Sequence, residues 1–180
     1  TETRPDLRAS QSHQPRVISV RSGTEGPDTY AALLRPEESA PLPEVDPQTA
    51  AAVIYTSGST AAPKGALHIH ETLAAEIDSL RAAHTLGPAD RVLMPSSLGH
   101  ISGIIHGILA PALLGTSAVL QPRWDARAAL EAIDQSAVTY MIGAPVFLQE
   151  MLARPELQQR DLATLRLFSC GGAPVSPALL

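Results

Sequence analysis

The stretch Tyr55-Thr56-Ser57-Gly58-Ser59-Thr60-Ala61-Ala62-Pro63-Lys64-Gly65 gathers four aliphatic hydroxyls, two glycines and a lysine in one short run. Such a set suits a polyphosphate. Successive backbone N–H groups in a tight loop donate to phosphate oxygens, and Gly58 lets that backbone turn closely. The hydroxyls of Thr56, Ser57, Ser59 and Thr60 add donors. Lys64 supplies a point charge, and Pro63 stiffens the approach to it. The run is not a Walker A loop, because Lys64 follows Pro63 rather than glycine and no Ser or Thr follows it. Composition alone also permits a flexible Ser/Gly linker.

Other residues are less specific. Ser97-Leu98-Gly99-His100-Ile101-Ser102-Gly103 sets a histidine between glycines near a helix start, where residue type alone suggests a polar surface group. His106 falls on a different helical face from His100 and receives no role. Gly171-Gly172-Ala173-Pro174 could belong to any strand-to-helix turn. Cys170 precedes it with no His or Lys adjacent to activate it, so it reads as a small packed residue. His68 and His70 share one side of an expected strand but have no third ligand nearby, which argues against zinc. No paired Asp/Glu for acid–base work is evident, and Trp124 and the methionines read as packing.

The elements that must position these residues follow from apolar patterning. Ala51 to Thr56 is a buried strand, and Gly65 to His70 a second one. Glu71 to Leu86 is a helix on the spacing of Leu73, Ile77 and Leu80, stopped by Gly87-Pro88. Strands follow at Arg91 to Met94, Ala118 to Leu120, Val138 to Ile142 and Leu165 to Ser169. Helices follow at Gly103 to Leu114, from Asp125 as cap to Ile133, and at Pro145 to Ala153. Ser176-Pro177 has the form of another helix start. Strand–helix alternation predicts an α/β fold, a mainly parallel sheet flanked by helices. Ligands of such sheets gather at the carboxyl ends of the strands. Residues 1–49 read as a lead-in segment with a short strand at Arg16 to Val20, a brief helix from Asp28 and an exposed connection. Residues 50–180 read as the α/β domain.

Of the 180 residues, 44% are hydrophobic and 17% charged, an ordinary globular balance, while aromatics make up only 3%. The net charge of −5 and the lack of any Lys/Arg cluster argue against a nucleic-acid partner. A single cysteine excludes an internal disulfide and fits a reducing compartment. Ile101 to Leu114, the longest mostly apolar run, is too short and too interrupted to span a bilayer. The expected address is the cytoplasm. The chain opens on Thr1 and closes just after a helix-start signal, so it reads as an internal piece of a longer chain.

YTSGSTAAPKG, followed by ALHIH and a helix, resembles the signature loop of the adenylate-forming superfamily, which holds acyl-CoA synthetases, adenylation domains of peptide synthetases and luciferases. The resemblance runs from about Arg16 to Leu180. It departs at Ala61, where the family usually has glycine. A positive φ at that position costs alanine about 1 kcal/mol. Ser97 to Gly103 is similar to the motif that places a histidine on the acyl-binding wall. His100 matches that histidine, with Ser102 and Gly103 beside it, and glycines 99, 103 and 107 leave room for an acyl group. Gly171, Gly172, Ala173 and Pro174 resemble the loop along the adenine ring.

The resemblance implies the large N-terminal domain of an acid–CoA ligase, with ATP, Mg²⁺ and CoA as cofactors. A carboxylate attacks the α-phosphate of ATP, pyrophosphate leaves, and a thiol takes the acyl group. Thr56, Ser57, Gly58, Ser59 and Thr60 would hold the β/γ-phosphates, with Lys64 in the catalytic role at the leaving pyrophosphate. The acid is expected to be fatty or alicyclic, as in cyclohexanecarboxylate–CoA ligases. A carrier protein is the alternative acceptor. The family's acidic Mg²⁺ loop, ribose aspartate, hinge and second lysine-bearing domain lie outside this sequence, so the chain alone is expected to be inactive. Two other readings remain open: a non-catalytic nucleotide-binding module, and an interaction domain with a coincidental Ser/Gly loop.

Overall fold

A computed structural model describes residues 43–56 and 63–179. The expected elements within 16–34 and most of the Ser/Gly loop, residues 57–62, lie outside this set. All elements named below belong to the unit Val45–Leu180.

Strands β1 (Ala50–Thr56) and β2 (Lys64–Ile69) pair antiparallel, with Tyr55 opposite Gly65 and Thr56 opposite Lys64. They form a two-stranded sheet of their own rather than joining the parallel one. Their antiparallel pairing follows from connection length, since a parallel pair needs a crossover of a dozen or more residues and the chain between β1 and β2 is shorter.

Helix α1 (His70–His84) buries Leu73, Ile77 and Leu80, the stripe its spacing predicts. It stops before Gly87-Pro88, at Thr85, which adopts a left-handed conformation with φ 53°. That conformation is costly for a β-branched residue. The helix end is held from outside: the Arg166 guanidinium donates to the carbonyls of His84 (2.9 Å) and Thr85 (3.3 Å). A cation there also suits the negative end of the helix dipole.

Strands β3 (Arg91–Met94), β4 (Ser117–Leu120), β5 (Tyr140–Gly143) and β6 (Leu167–Cys170) form a parallel sheet in the order β4-β3-β5-β6. Alternate residues feed two cores. Val92, Tyr140 and Leu167 face α1 and the helix after β3, while Leu93, Met141 and Phe168 face the helices after β4 and β5. The central strand is apolar on both sides, with Val92, Leu93 and Met94 all buried.

The helix after β3 runs as α2 (Ile101–Ile104), a π turn (Ile105–Leu109) and α3 (Ala110–Leu114). Pro111 has no N–H to close onto Gly107, and its ring would strike that carbonyl in a regular helix. The wider turn just before it relieves the clash. Helix α4 (Ala126–Ser136) opens on Asp125, whose carboxylate accepts from the Ala128 N–H at 3.0 Å. Helix α5 (Pro145–Leu152) packs beside it on the same face. The residues after β6 form only a short 3₁₀ turn, Pro177–Leu179.

A polar network ties the amino ends of the parallel strands. Asp90, 7% exposed, accepts from Arg166 Nε (3.0 Å), Thr139 Oγ1 (2.7 Å) and the Gly87 N–H (3.0 Å). Burial opposes its ionisation, but these three donors together hold the carboxyl below its ordinary range. The network lies at the opposite end of the sheet from the cleft described next.

Candidate active site

The connection leaving β3 runs to one face of the sheet and that leaving β5 to the other. Adjacent strands whose exits diverge leave a crevice at their carboxyl ends. A cavity of about 660 Å³ lies there. Its walls come from Met94 to Ser97 at the end of β3, Ile142 to Ala144 at the end of β5, and Gly171 and Gly172 after β6, with His100, Ser102 and Phe147 completing it. Two segments some seventy positions apart in the chain, the His100 turn and the Gly171-Gly172 turn, thus share one cleft.

Each wall has a local cause. The Ser97 carbonyl accepts from the His100 N–H at 3.0 Å and the Ser97 hydroxyl from the Gly99 N–H at 3.1 Å, which folds 97–100 into a tight turn. His100 then caps α2. Its Nδ1 accepts from the Ser102 N–H at 3.2 Å and lies 2.7 Å from the Ser102 hydroxyl. In the neutral ring this leaves Nε2 to carry the proton as a donor. Gly103 is buried behind the turn rather than in the cavity wall. A Cβ on it would sit 2.8 Å from Leu98 Cα and closer still to the Ser97 carbonyl oxygen.

Glycines 171 and 172 behave differently. Among the described residues a Cβ on either would meet nothing within 4 Å, so their packing leaves the space before these glycines open. Gly172 also has φ +81°, which disfavours any other residue. Ala173 and Pro174 follow but are not among the cavity-lining residues. Across the cleft, Phe147 rests on Gly143 and stacks at 4.4 Å against Trp124, whose indole N–H donates to Glu150.

Lys64 opens β2 directly across from Thr56, so the hairpin fixes the two ends of the Ser/Gly loop beside each other. Ser57, Gly58, Ser59 and Thr60 lie outside the described residues. His68 is on β2 and His70 opens α1, so the two are not neighbours on one strand face.

A second cavity of about 410 Å³ adjoins the first, with Ser102 and Ile142 lining both. Leu73, Ile101 and Ile105 supply its apolar walls, and His68, Thr72, Glu76 and His106 its polar ones. His106, only 4% exposed, enters this wall on the π turn. It shares this wall with Ser102, four residues before it on the same helix, a spacing that comparison with the face of His100 alone did not test.

The pattern of sequence around this cleft has counterparts. Residues 2–180 match the profile of the AMP-binding enzyme family. The chain belongs to that family. An indoleacetate–CoA ligase of Aromatoleum aromaticum is 36% identical over 166 residues, covering 91% of this AMP-binding chain and 32% of the relative. The amide bond synthetase McbA of Marinactinospora thermotolerans superposes with a TM-score of 0.72 at 29% identity, over 90% of this chain and 32% of that one. ATP-bound MatB of Rhodopseudomonas palustris superposes with a TM-score of 0.67 at 26% identity, over 75% and 26%. The AMP-binding chain therefore spans between about a quarter and a third of these proteins' lengths.

Proposed function

We propose that this chain forms part of the ATP- and acid-binding cleft of an AMP-forming acid–CoA ligase. The supporting observation is the single crevice that gathers His100, Ser102, Gly171 and Gly172 at the carboxyl ends of adjacent parallel strands. Adenine lies against Gly171 and Gly172, where the backbone is bare and the space before it is open. The phosphates run toward Lys64 and the Thr56-to-Thr60 loop. The acid's carboxylate enters past His100, whose Nε2–H donates to it, and its body extends toward Ser102. Attack on the α-phosphate then joins acid to AMP with loss of pyrophosphate, and a second substrate takes the acyl group. Catalysis of this kind rests on positioning and on donors fixed before charge develops.

The acid was expected to be fatty or alicyclic. Similarity to an indoleacetate–CoA ligase extends the range to aryl acids. CoA is the favoured acceptor, and the likeness to an amide bond synthetase makes an amine the second reading. Among the described residues no cluster of three His, Cys, Asp or Glu is placed to hold a metal ion. No helix among the described residues is long and apolar enough to cross a membrane.

The test is acid-dependent exchange of labelled pyrophosphate into ATP by the complete gene product, across fatty, alicyclic and aryl acids. Exchange with at least one acid, followed by acyl transfer to CoA, supports the reading. Absence of exchange across the panel removes it, and exchange with transfer only to amines moves it to the second reading.

A further inference from the structure

The smaller cavity contains a group the ligase reading does not use. His106 is 4% exposed, and its Nδ1 has no hydrogen-bond partner among the described residues. A buried, unpartnered imidazole nitrogen is costly, and native structures rarely keep one without a use. Its ring is held by Tyr140, with centroids 5.7 Å apart, and by the π turn, itself a local departure from regular helix of the kind enriched at functional sites. The remaining polar groups on this cavity's walls are His68, Thr72, Glu76 and Ser102, and among the described residues no Lys or Arg lines it. The walls thus offer hydroxyl and imidazole groups that can donate or accept, and one negative charge, which disfavours a second anionic group on a ligand.

We propose that His106 is a specificity-determining residue that accepts a hydrogen bond from a neutral donor, a phenolic hydroxyl or a ring N–H, at the far end of the acid. This inference rests on the acid-binding reading of the adjoining cleft. Ser102 and Ile142, common to both cavities, mark the passage: an acid with its carboxylate at His100 extends between them into the smaller space. The apolar residues there, Leu73, Ile101 and Ile105, suit a planar or aliphatic body. Burial, with a smaller push from His84, lowers the His106 imidazole to about 4. The ring is therefore neutral at physiological pH and keeps one nitrogen as an acceptor.

The test compares two acids that differ only in the donor, 3-(4-hydroxyphenyl)propanoate and 3-phenylpropanoate. Binding to the complete gene product is measured by calorimetry, and turnover by pyrophosphate release. The wild type should prefer the hydroxylated acid at least tenfold. His106→Leu should abolish that preference, and His106→Asn, which returns an acceptor near the Nδ1 position, should restore part of it. His106→Leu should also unfold at higher denaturant concentration than wild type, because it removes an unpartnered buried group. A role in packing alone predicts no change in the ratio between the two acids, and that result overturns the proposal. So does a wild-type preference for the unsubstituted acid. If calorimetry shows the predicted discrimination but no pyrophosphate is released with any acid, the ligase reading fails while the assignment of His106 stands.

Discussion

Gly103 shapes the cleft without lining it, and Gly103→Ala tests that role. The new methyl group would lie 2.8 Å from both Leu98 Cα and the Ser97 carbonyl carbon, against the 3.4 Å at which ordinary contact begins. The Ser97-Leu98 backbone must therefore retreat by at least about 0.6 Å, and further to clear the carbonyl oxygen. These are backbone atoms of a turn already fixed by two hydrogen bonds, so no rotamer change relieves the clash. Overpacking of this kind costs about 1–3 kcal/mol, and alanine's helix preference returns less than about 1 kcal/mol. Denaturant titration should show a net loss of about 1–2 kcal/mol. The same retreat moves His100, and a displacement of the order of 1 Å in a positioning group can cost about 100-fold in rate. Pyrophosphate release should fall by one to two orders of magnitude, with KM for ATP changed much less than kcat. Wild-type stability together with wild-type turnover would refute the reasoning.

Other outcomes follow from the same structure. Asp90→Ala leaves Arg166, Thr139 and the Gly87 N–H without their shared acceptor and should cost about 2–3 kcal/mol in denaturant titration. ATP affinity should be unchanged, because the network sits at the amino ends of the strands. Lys64→Ala should weaken ATP binding by about 1–3 kcal/mol in calorimetry, and unchanged affinity would leave the Ser/Gly loop a linker. Acid should destabilise the fold in two steps. The lowered His106 binds its proton more readily when unfolded, so stability falls as pH drops from about 6.5 toward 4, by up to about 3 kcal/mol. Asp90, also lowered, adds stability that is present above its unfolded value and is lost as pH falls through its folded one. His106→Leu should erase the first step in pH-dependent denaturation and leave the second.

Much of this architecture was legible where local signals agree with tertiary demands. Arg91 to Met94 was read to the residue, because a central parallel strand needs an uninterrupted apolar run. Asp125 was read as a cap because its carboxylate satisfies a donor only three residues on, in the same local turn. The end of α1 was misplaced because its anchor, Arg166, lies more than eighty positions away and no local pattern encodes it. The antiparallel pairing of β1 with β2 was not read because each strand was weighed alone, without the length of its connection. At the cleft, the segments around His100 and Gly171 were singled out by their resemblance to a family, since residue type alone left one a surface group and the other an ordinary turn. His106 was passed over because its face was compared only with that of His100 and not with that of Ser102, and Phe147 and Ile142 because they are ordinary apolar residues until the fold brings them to the cavity.

The most direct measurement is a crystal structure of the complete gene product with a non-hydrolysable acyl-adenylate. The account predicts adenine against Gly171 and Gly172, phosphate oxygen or its isostere on the Lys64 side, and the acyl group passing His100 between Ser102 and Ile142. An adenylate bound anywhere other than the crevice between β3 and β5 would contradict it.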